Sequence, residues 1–523
     1  MKKIVTYLCC FAMLLGCFGS FAACKTVDDQ DTIYVGIQVQ GYGAKWLYDC
    51  AEAYTEKTGV PVDIKEFVLE GAVLSDFQRG ARNNNTDLYL GIADSFFKEI
   101  NTGANNPQAI GMVDLSDVFS SEPEGYEGVE TIEDLLYDYA YESCLYKGKP
   151  YLFSWAFGLE GILYHENMLE EYGYRVPRTT DEWIEICEDF TEKNAPASGN
   201  EADRERYAVT WYEGYWLGRE LEWWAQYEGM DVYNAFREGK DIHGNYTADV
   251  YAQEGWRESF EVLERLLDSD KHNSDPGAIS EMYTTTQMKF FGGQALFMPN
   301  GDWVEREMEL NLEDLDAQGV ERDFKFMRTP IISSITDKMT GIKSESDLRA
   351  AISALDGEEG AVMPASAMPE DIEKLTEAMH IMECQSQRQT GFIPNYSNNI
   401  EGTKDFIRWL YSKEAQVIIY NSMQGNVFPI NYDLTKEEGV QTSVFQQSKY
   451  DLLLREGVTL IGNDFSNEMF YLGGMRYAPD ISIPLASRKE SASYADAQSL
   501  YESNYNNYAL NWGDIMNSAG IGA

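Results

Sequence analysis

The chain has 523 residues, beyond the roughly 250 to 300 that a single hydrophobic core usually serves, so two lobes or domains are expected. Hydrophobic residues make up 44%, ample for cores of that size, while 87 acidic against 41 basic residues leave a formal net charge of −46. Such a surface repels phosphate backbones and anionic lipid, which excludes nucleic acid as a partner.

The N-terminus departs from this composition. Met1-Lys2-Lys3 precedes an uncharged, largely apolar run from Ile4 to Gly19, and a polar stretch opens at Lys25. Residues 1–23 therefore read as a signal peptide, and residues 24–31 as an acidic linker. Ala22-Ala23-Cys24 resembles a bacterial lipobox, in which small residues admit the peptidase and the thiol accepts diacylglycerol. Leu14-Leu15-Gly16-Cys17 fits the same pattern, but cutting there would leave apolar Phe18 to Ala23 beside the anchor, so Cys24 is favoured. No later run reaches the roughly 18 apolar residues that a membrane span needs.

Thr32 to Val39 reads as a strand, Gln40-Gly41-Tyr42-Gly43 as a turn, Lys45 to about Lys57 as a helix and Gly59 to Lys65 as the next strand. This is a βαβ unit, hence a parallel sheet with ligands expected beyond the carboxyl ends of its strands. Thr86 to Asp94 is a further buried strand that delivers a carboxylate at its end, a candidate for the ligand or for capping Ser95 to Ile100. From Tyr151 to Tyr164 aromatic and aliphatic residues dominate, interrupted by Gly158 and Gly161, as in a buried strand with one kink. Asn167 can cap a short helix that ends at Gly173, and Thr180 or Asp181 a second one bearing Trp183, Ile184 and Cys187.

The order from Tyr164 and Asn167 through Pro177 to Glu182-Trp183 resembles the first crossover of the extracellular solute-binding proteins of ABC importers, family 1, the maltodextrin-binding-like group. His165-Glu166 ahead of Asn167 is a minor departure. A second likeness runs from Phe290 through Gly293, Ala295 and Gly301 to Trp303, similar to the family's glycine-turn-tryptophan signature. The resemblance implies an α/β fold of the two-lobed, type II periplasmic-binding-protein kind, with three crossovers and a ligand cleft between the lobes. Lobe 1 is expected over 32–152 and 330–427, with a helical insertion at about 331–390, and lobe 2 over 153–329 and 428–523. The crossovers would fall near 150–160, 323–331 and 427–431, and a tyrosine-rich helix from Tyr494 to Met516 would pack on lobe 2.

The same resemblance implies a substrate-binding lipoprotein that captures an oligosaccharide and hands it to ABC transporter permease subunits. It would be a monomer tethered through Cys24 to the extracytoplasmic face of the cell membrane, without cofactor, metal or enzymatic activity. Trp303 is the expected stacking surface, with Trp155, Trp211 and Tyr215 as further aromatic candidates and Asp94, Asp302, Gln40 and Tyr42 as hydrogen-bonding ones. A sugar has apolar C–H faces and a polar rim, which is why both residue types are sought. Tyr212, Trp216, Trp223 and Tyr227 share helical spacing and read as core, whereas Trp211 and Tyr215 fall off that stripe.

The rivals are a secreted glycoside hydrolase, since paired carboxylates and tryptophans serve that chemistry too, and the same fold binding a peptide or other non-sugar solute. The histidines at 165, 243, 272 and 380 show no zinc spacing, and no P-loop, G-x-S-x-G or complete G-x-G-x-x-G is present. Cys50, Cys144, Cys187 and Cys384 lie far apart and read as buried free thiols.

Overall fold

The computed structural model describes residues 32–69, 71–80, 84–92, 111–385, 388–462, 468–471, 473–475 and 481–522. The signal peptide, the linker, Cys17, Cys24 and Asp94 lie outside the described residues.

Two sheets organise the chain. In the first, Ile33–Gln38 pairs in parallel with Val62–Phe67 on one side and Leu88–Ile92 on the other. Gln389–Phe392 then pairs antiparallel with Leu88–Ile92 and with Phe153–Ser154. Helix Lys45–Thr58 supplies the crossover of the βαβ unit and buries Trp46, Leu47, Cys50 and Tyr54. The second sheet runs Phe324–Met327, Glu160–His165, Ala295–Gly301, Tyr207–Val209, with antiparallel pairs except the last. Every residue of Glu160–His165 and Ala295–Gly301 is buried, alternate side chains entering different cores, Ile162 and Tyr164 one and Leu163 the other.

The stretch Tyr151 to Tyr164 is divided between the sheets. Phe153–Ser154 closes the first and Glu160–His165 opens the second, with Gly158 between them at φ 67°. A side chain is excluded at Gly158 both by that backbone and by the Gln385 carbonyl carbon, 3.0 Å from where a Cβ would sit. Two helix caps differ from expectation. Helix Glu166–Tyr172 begins directly after His165, and the backbone N–H of Asn167 instead donates to Asp323 Oδ2 at 3.0 Å. Helix Thr180–Lys193 is capped by Thr179, whose hydroxyl accepts the Glu182 N–H at 3.2 Å.

The second crossover is displaced from residues 323–331. Strand Phe324–Met327 stays in the second sheet, and the segment after it packs on the same lobe: Trp223 Nε1 donates to the Pro330 carbonyl at 3.0 Å, and the Ile332 N–H to Gln226 Oε1 at 2.9 Å. Helices Glu345–Leu355 and Pro369–His380 add Leu348, Ile352 and Leu375 to the core that holds Trp183 and Trp223. The chain reaches the first sheet only after strand Ile381–Glu383, at Gln389. Thr329-Pro330 ends a strand without changing lobes, and the segment expected as a lobe 1 insertion is part of the other core. The third passage leads from helix Lys413–Ser422 to helix Val444–Leu453, where Phe445 packs on Phe324 and Phe326.

Helix Ala497–Ser518 completes the core that holds Trp183 and Trp223, with Tyr508 stacked on Tyr251 at 3.7 Å between ring centroids. Cys50, Cys144, Cys187 and Cys384 are buried free thiols.

Leu375 is fully buried in that core. Leu375→Ala is expected to lower unfolding stability by about 2–5 kcal/mol, measured by urea denaturation; an appended insertion would tolerate the change.

Candidate functional site

Strand register builds the site. Glu160 pairs with Gly301, so the start of one central strand and the end of the other meet at the same edge of the second sheet. Gly301 is required there, because a Cβ would lie 2.1 Å from the Trp303 ring, which folds back over it. Trp303 then opens the short helix Val304–Glu307, which places Glu307 one turn beyond it. From the first sheet, the turn after Ile33–Gln38 brings Gln40 and Tyr42 to the same place.

Together these elements enclose a cleft of about 1010 Å³. One side is a continuous line of rings. Tyr283 lies 5.9 Å from Tyr212, Tyr212 5.7 Å from Tyr215, Tyr215 6.0 Å from Trp303, and Trp303 6.1 Å from Tyr42, all between centroids. All five rings line the cleft. Among them stand polar groups that find no partner among the described residues: Gln40 Nε2, Gln389 Oε1 and Arg306 Nε. Burial raises the Glu307 carboxyl above its ordinary range, against the Gln287 amide that donates to it at 2.7 Å. Arg306 is paired with Glu309.

Of the residues singled out from sequence, Gln40, Tyr42, Tyr215 and Trp303 line this cleft. Trp155 and Trp211 do not. Trp155 is stacked on Trp46 at 5.5 Å and donates its indole N–H to the Thr390 carbonyl at 3.2 Å. Trp211 is enclosed in the other core, its Nε1 donating to Ser274 Oγ at 2.6 Å. Neither ring has a face open to a ligand.

Asp302 is also inaccessible, at 0% exposure. Its Oδ1 accepts the Tyr42 hydroxyl at 2.7 Å, and its Oδ2 lies 3.5 Å from Lys449 Nζ. The Tyr42 oxygen in turn accepts the Gly158 N–H at 3.0 Å, so Tyr42 is a buried ring at the floor of the cleft with its hydroxyl engaged below. Lys449 also donates to the Gly425 carbonyl and to Asn426 Oδ1, each at 2.9 Å. Burial pushes the Asp302 carboxyl up and the Lys449 ammonium down, and their mutual attraction opposes both shifts.

Several lining residues escape a reading of the sequence. Helical spacing assigns Tyr212 to a helix face, but the helix begins at Leu217, and Gly214 lies between. Glu160 carries a signal, since a carboxylate inside an apolar strand calls for a partner or a task. Glu307 lies four residues beyond Trp303, one helical turn, which is also a usable mark. Tyr283, Gln385 and Arg388 have no local signal.

The fold is that of the two-lobed solute-binding proteins, with a cleft between lobes joined by three crossovers. The raffinose complex of RafE, a protein whose apo form is also matched from Streptococcus pneumoniae, is 13% identical over 92% of this chain and 99% of its own, with a TM-score of 0.56. Maltose-bound MalE3 of T. maritima is 13% identical over 92% and 99%, with a TM-score of 0.57. An ABC transporter solute-binding protein from Agrobacterium radiobacter, in complex with ribitol, is 16% identical over 92% and 98%, with a TM-score of 0.53. In sequence, no curated protein matches. The chain belongs to the bacterial extracellular solute-binding protein family, whose model matches residues 49–445.

Asp302→Ala would leave Lys449 buried without its counter-charge. A loss of about 3–5 kcal/mol in stability is expected, readable as a lowered unfolding midpoint before any ligand is added.

Proposed function

We propose that this protein is the substrate-binding component of an ABC importer, taking an oligosaccharide into the cleft and delivering it to a membrane permease. The observation that carries this reading is the line of five rings from Tyr283 to Tyr42 beside the unpartnered amide atoms Gln40 Nε2 and Gln389 Oε1. Rings bury the C–H faces of a sugar, and Gln40 and Gln389 offer a donor and an acceptor to its hydroxyls. Raffinose, maltose and ribitol in the structural neighbours are all polyhydroxylated, which supports the same class here. Ligand held between lobes favours the closed state, and closure would be the signal that the permease reads.

Trp303 sits mid-line with a ring on either side. A stacked ring is worth about 1–3 kcal/mol by analogy with bases. Trp303→Ala should therefore weaken binding about five- to more than one-hundred-fold. Calorimetry of the mature protein against a glycan panel measures this. Hydrolysis of a panel member would point to an enzyme, and tight binding of peptides alone, with Trp303→Ala indifferent to sugars, would end the carbohydrate reading.

In the same reading the protein is held on the outer face of the cytoplasmic membrane by a diacylglycerol on Cys24, two chains being enough for stable attachment. A labelled lipid precursor should be incorporated by the wild type and not by Cys24→Ala. Loss of label in Cys17→Ala instead would move the anchor.

A further inference from the structure

Beneath the cleft, three carboxylates meet two guanidiniums. Glu160 opens a central strand, Arg219 and Glu222 lie on helix Leu217–Glu228, Glu383 ends strand Ile381–Glu383, and Arg388 comes next on the way to the first sheet. Glu160, Glu222, Glu383 and Arg219 are all buried. Arg219 stands 3.3 Å from Glu222 and 3.7 Å from Glu383, and donates to Thr329 Oγ1 at 2.9 Å. Glu222 Oε1 accepts the backbone N–H of Glu383 at 2.6 Å.

That leaves Glu160 and Glu383. Neither oxygen of Glu383, nor Oε2 of Glu160, has a donor within hydrogen-bond geometry among the described residues, Arg219 Nη2 standing off Glu383 at 3.7 Å. The two side chains crowd the same point: a Cβ on Gly218 would be 2.8 Å from Glu383 Oε2 and 3.1 Å from Glu160 Oε2. Two carboxylates enclosed this way cannot both stay ionised, so one must hold a proton and donate it to the other. On its other side Glu160 reaches the ligand site. Its Oε1 accepts the Gln385 amide, Gln385 Oε1 accepts Arg388 Nη1 at 3.0 Å, and Gln385, Arg388 and Gln389 all line the cleft.

We infer that Glu160 is a positioning residue for the ligand site: it shares one proton with Glu383, and its ionised form holds Gln385 and Arg388 in their binding orientation. The inference rests on the cleft being the ligand site. The charged and titratable groups that act on Glu160 are Glu383, Glu222, Arg219 and Arg388, and it acts in turn on the Tyr215 hydroxyl across the cleft. Burial is the largest influence and outweighs both guanidiniums, so Glu160 is pushed up to about 7, while burial and the Glu160 charge hold Glu383 well above the carboxylate range. Above about pH 7 the pair carries one proton. Acid adds a second to Glu160, removing the charge that attracts Arg388 and the strong acceptor for Gln385.

Two effects of opposite direction result. Between the ordinary carboxylate value of about 4.3 and about 7, the folded chain binds more protons at Glu160 than the unfolded chain does. This group's contribution to stability therefore falls as pH rises through that window. Ligand affinity instead rises as Glu160 ionises.

The test uses the mature chain and Glu160→Gln, a neutral replacement for the protonated form, with Glu383→Gln as a second variant. Without ligand, Glu160→Gln should raise the unfolding midpoint relative to wild type at about pH 8 and lose that advantage below about pH 4. For the glycan from the panel that binds best, the wild-type Kd should weaken about three- to tenfold from about pH 8 to about pH 6. Glu160→Gln should stay at the weak value throughout, whereas Glu383→Gln should keep the pH dependence. A wild-type unfolding profile that tracks Glu160→Gln at every pH overturns the shared proton, and a pH-independent Kd overturns the positioning role. If no glycan binds at any pH, the carbohydrate reading fails and the unfolding profiles alone decide on the pair.

Discussion

The buried contact of Tyr42 with Asp302 and Lys449 is what the arrangement of the lobes depends on. Tyr42 belongs to the turn after the first strand, Asp302 to the end of the second sheet, Lys449 to the helix after the third passage, and Gly158, which donates to Tyr42, to the first. Asn426 Nδ2 donates to the Asp302 carbonyl at 2.9 Å, tying in the third passage again. One carboxylate thus gathers both sheets and two of the connections. An ion pair with no access to water adds little net stability, because desolvating both charges offsets their attraction. What it favours is geometry, since each of these groups is costly to leave unpaired and this placement satisfies all of them.

The ligand cleft lies directly above this contact. Asp302 is next to Trp303 in sequence, and Tyr42 reaches Asp302 with its hydroxyl while turning its ring edge-on to Trp303. The aromatic surface is therefore held from below by hydrogen bonds that a ligand does not disturb. On the same sheet edge Glu160, paired with Gly301, performs a comparable task with different chemistry: it shares a proton with Glu383, and through Gln385 it reaches toward the strand that returns to the first sheet.

Much of this is legible in the sequence. The opening βαβ unit, the glycine turn before Trp303 and the closing helix depend on local pattern: alternation, glycines where the backbone demands them, and amphipathic spacing. Tyr215 and Trp303 stand out because they come after strands and flank glycines. Trp211 satisfies the same criterion and is core, as is Trp155 within its apolar run, because position in or after a strand does not reveal which side a large ring turns to. Asp302 shows the limit most clearly. A carboxylate beside the binding tryptophan invites assignment to the ligand, and only the fold reveals Lys449, far along the chain, as its partner. The second crossover departs from its expected place for a related reason: Thr329-Pro330 marks the end of a strand, but the indole of Trp223, which binds the Pro330 carbonyl, keeps the chain in its own lobe.

The closing helix has a bearing on how the molecule is made. Tyr505 donates to Asp249 at 3.0 Å across 256 residues of sequence, and Tyr508 covers Tyr251. Until this helix arrives, Tyr251 and its neighbour Trp256 lack their cover. Contacts of such long range bring loop-closure entropy before they bring any gain, so this part of the core is late to assemble. A nascent chain therefore passes about half of its synthesis, from Tyr251 to Tyr508, with this aromatic face bare, in the state where self-association competes with folding.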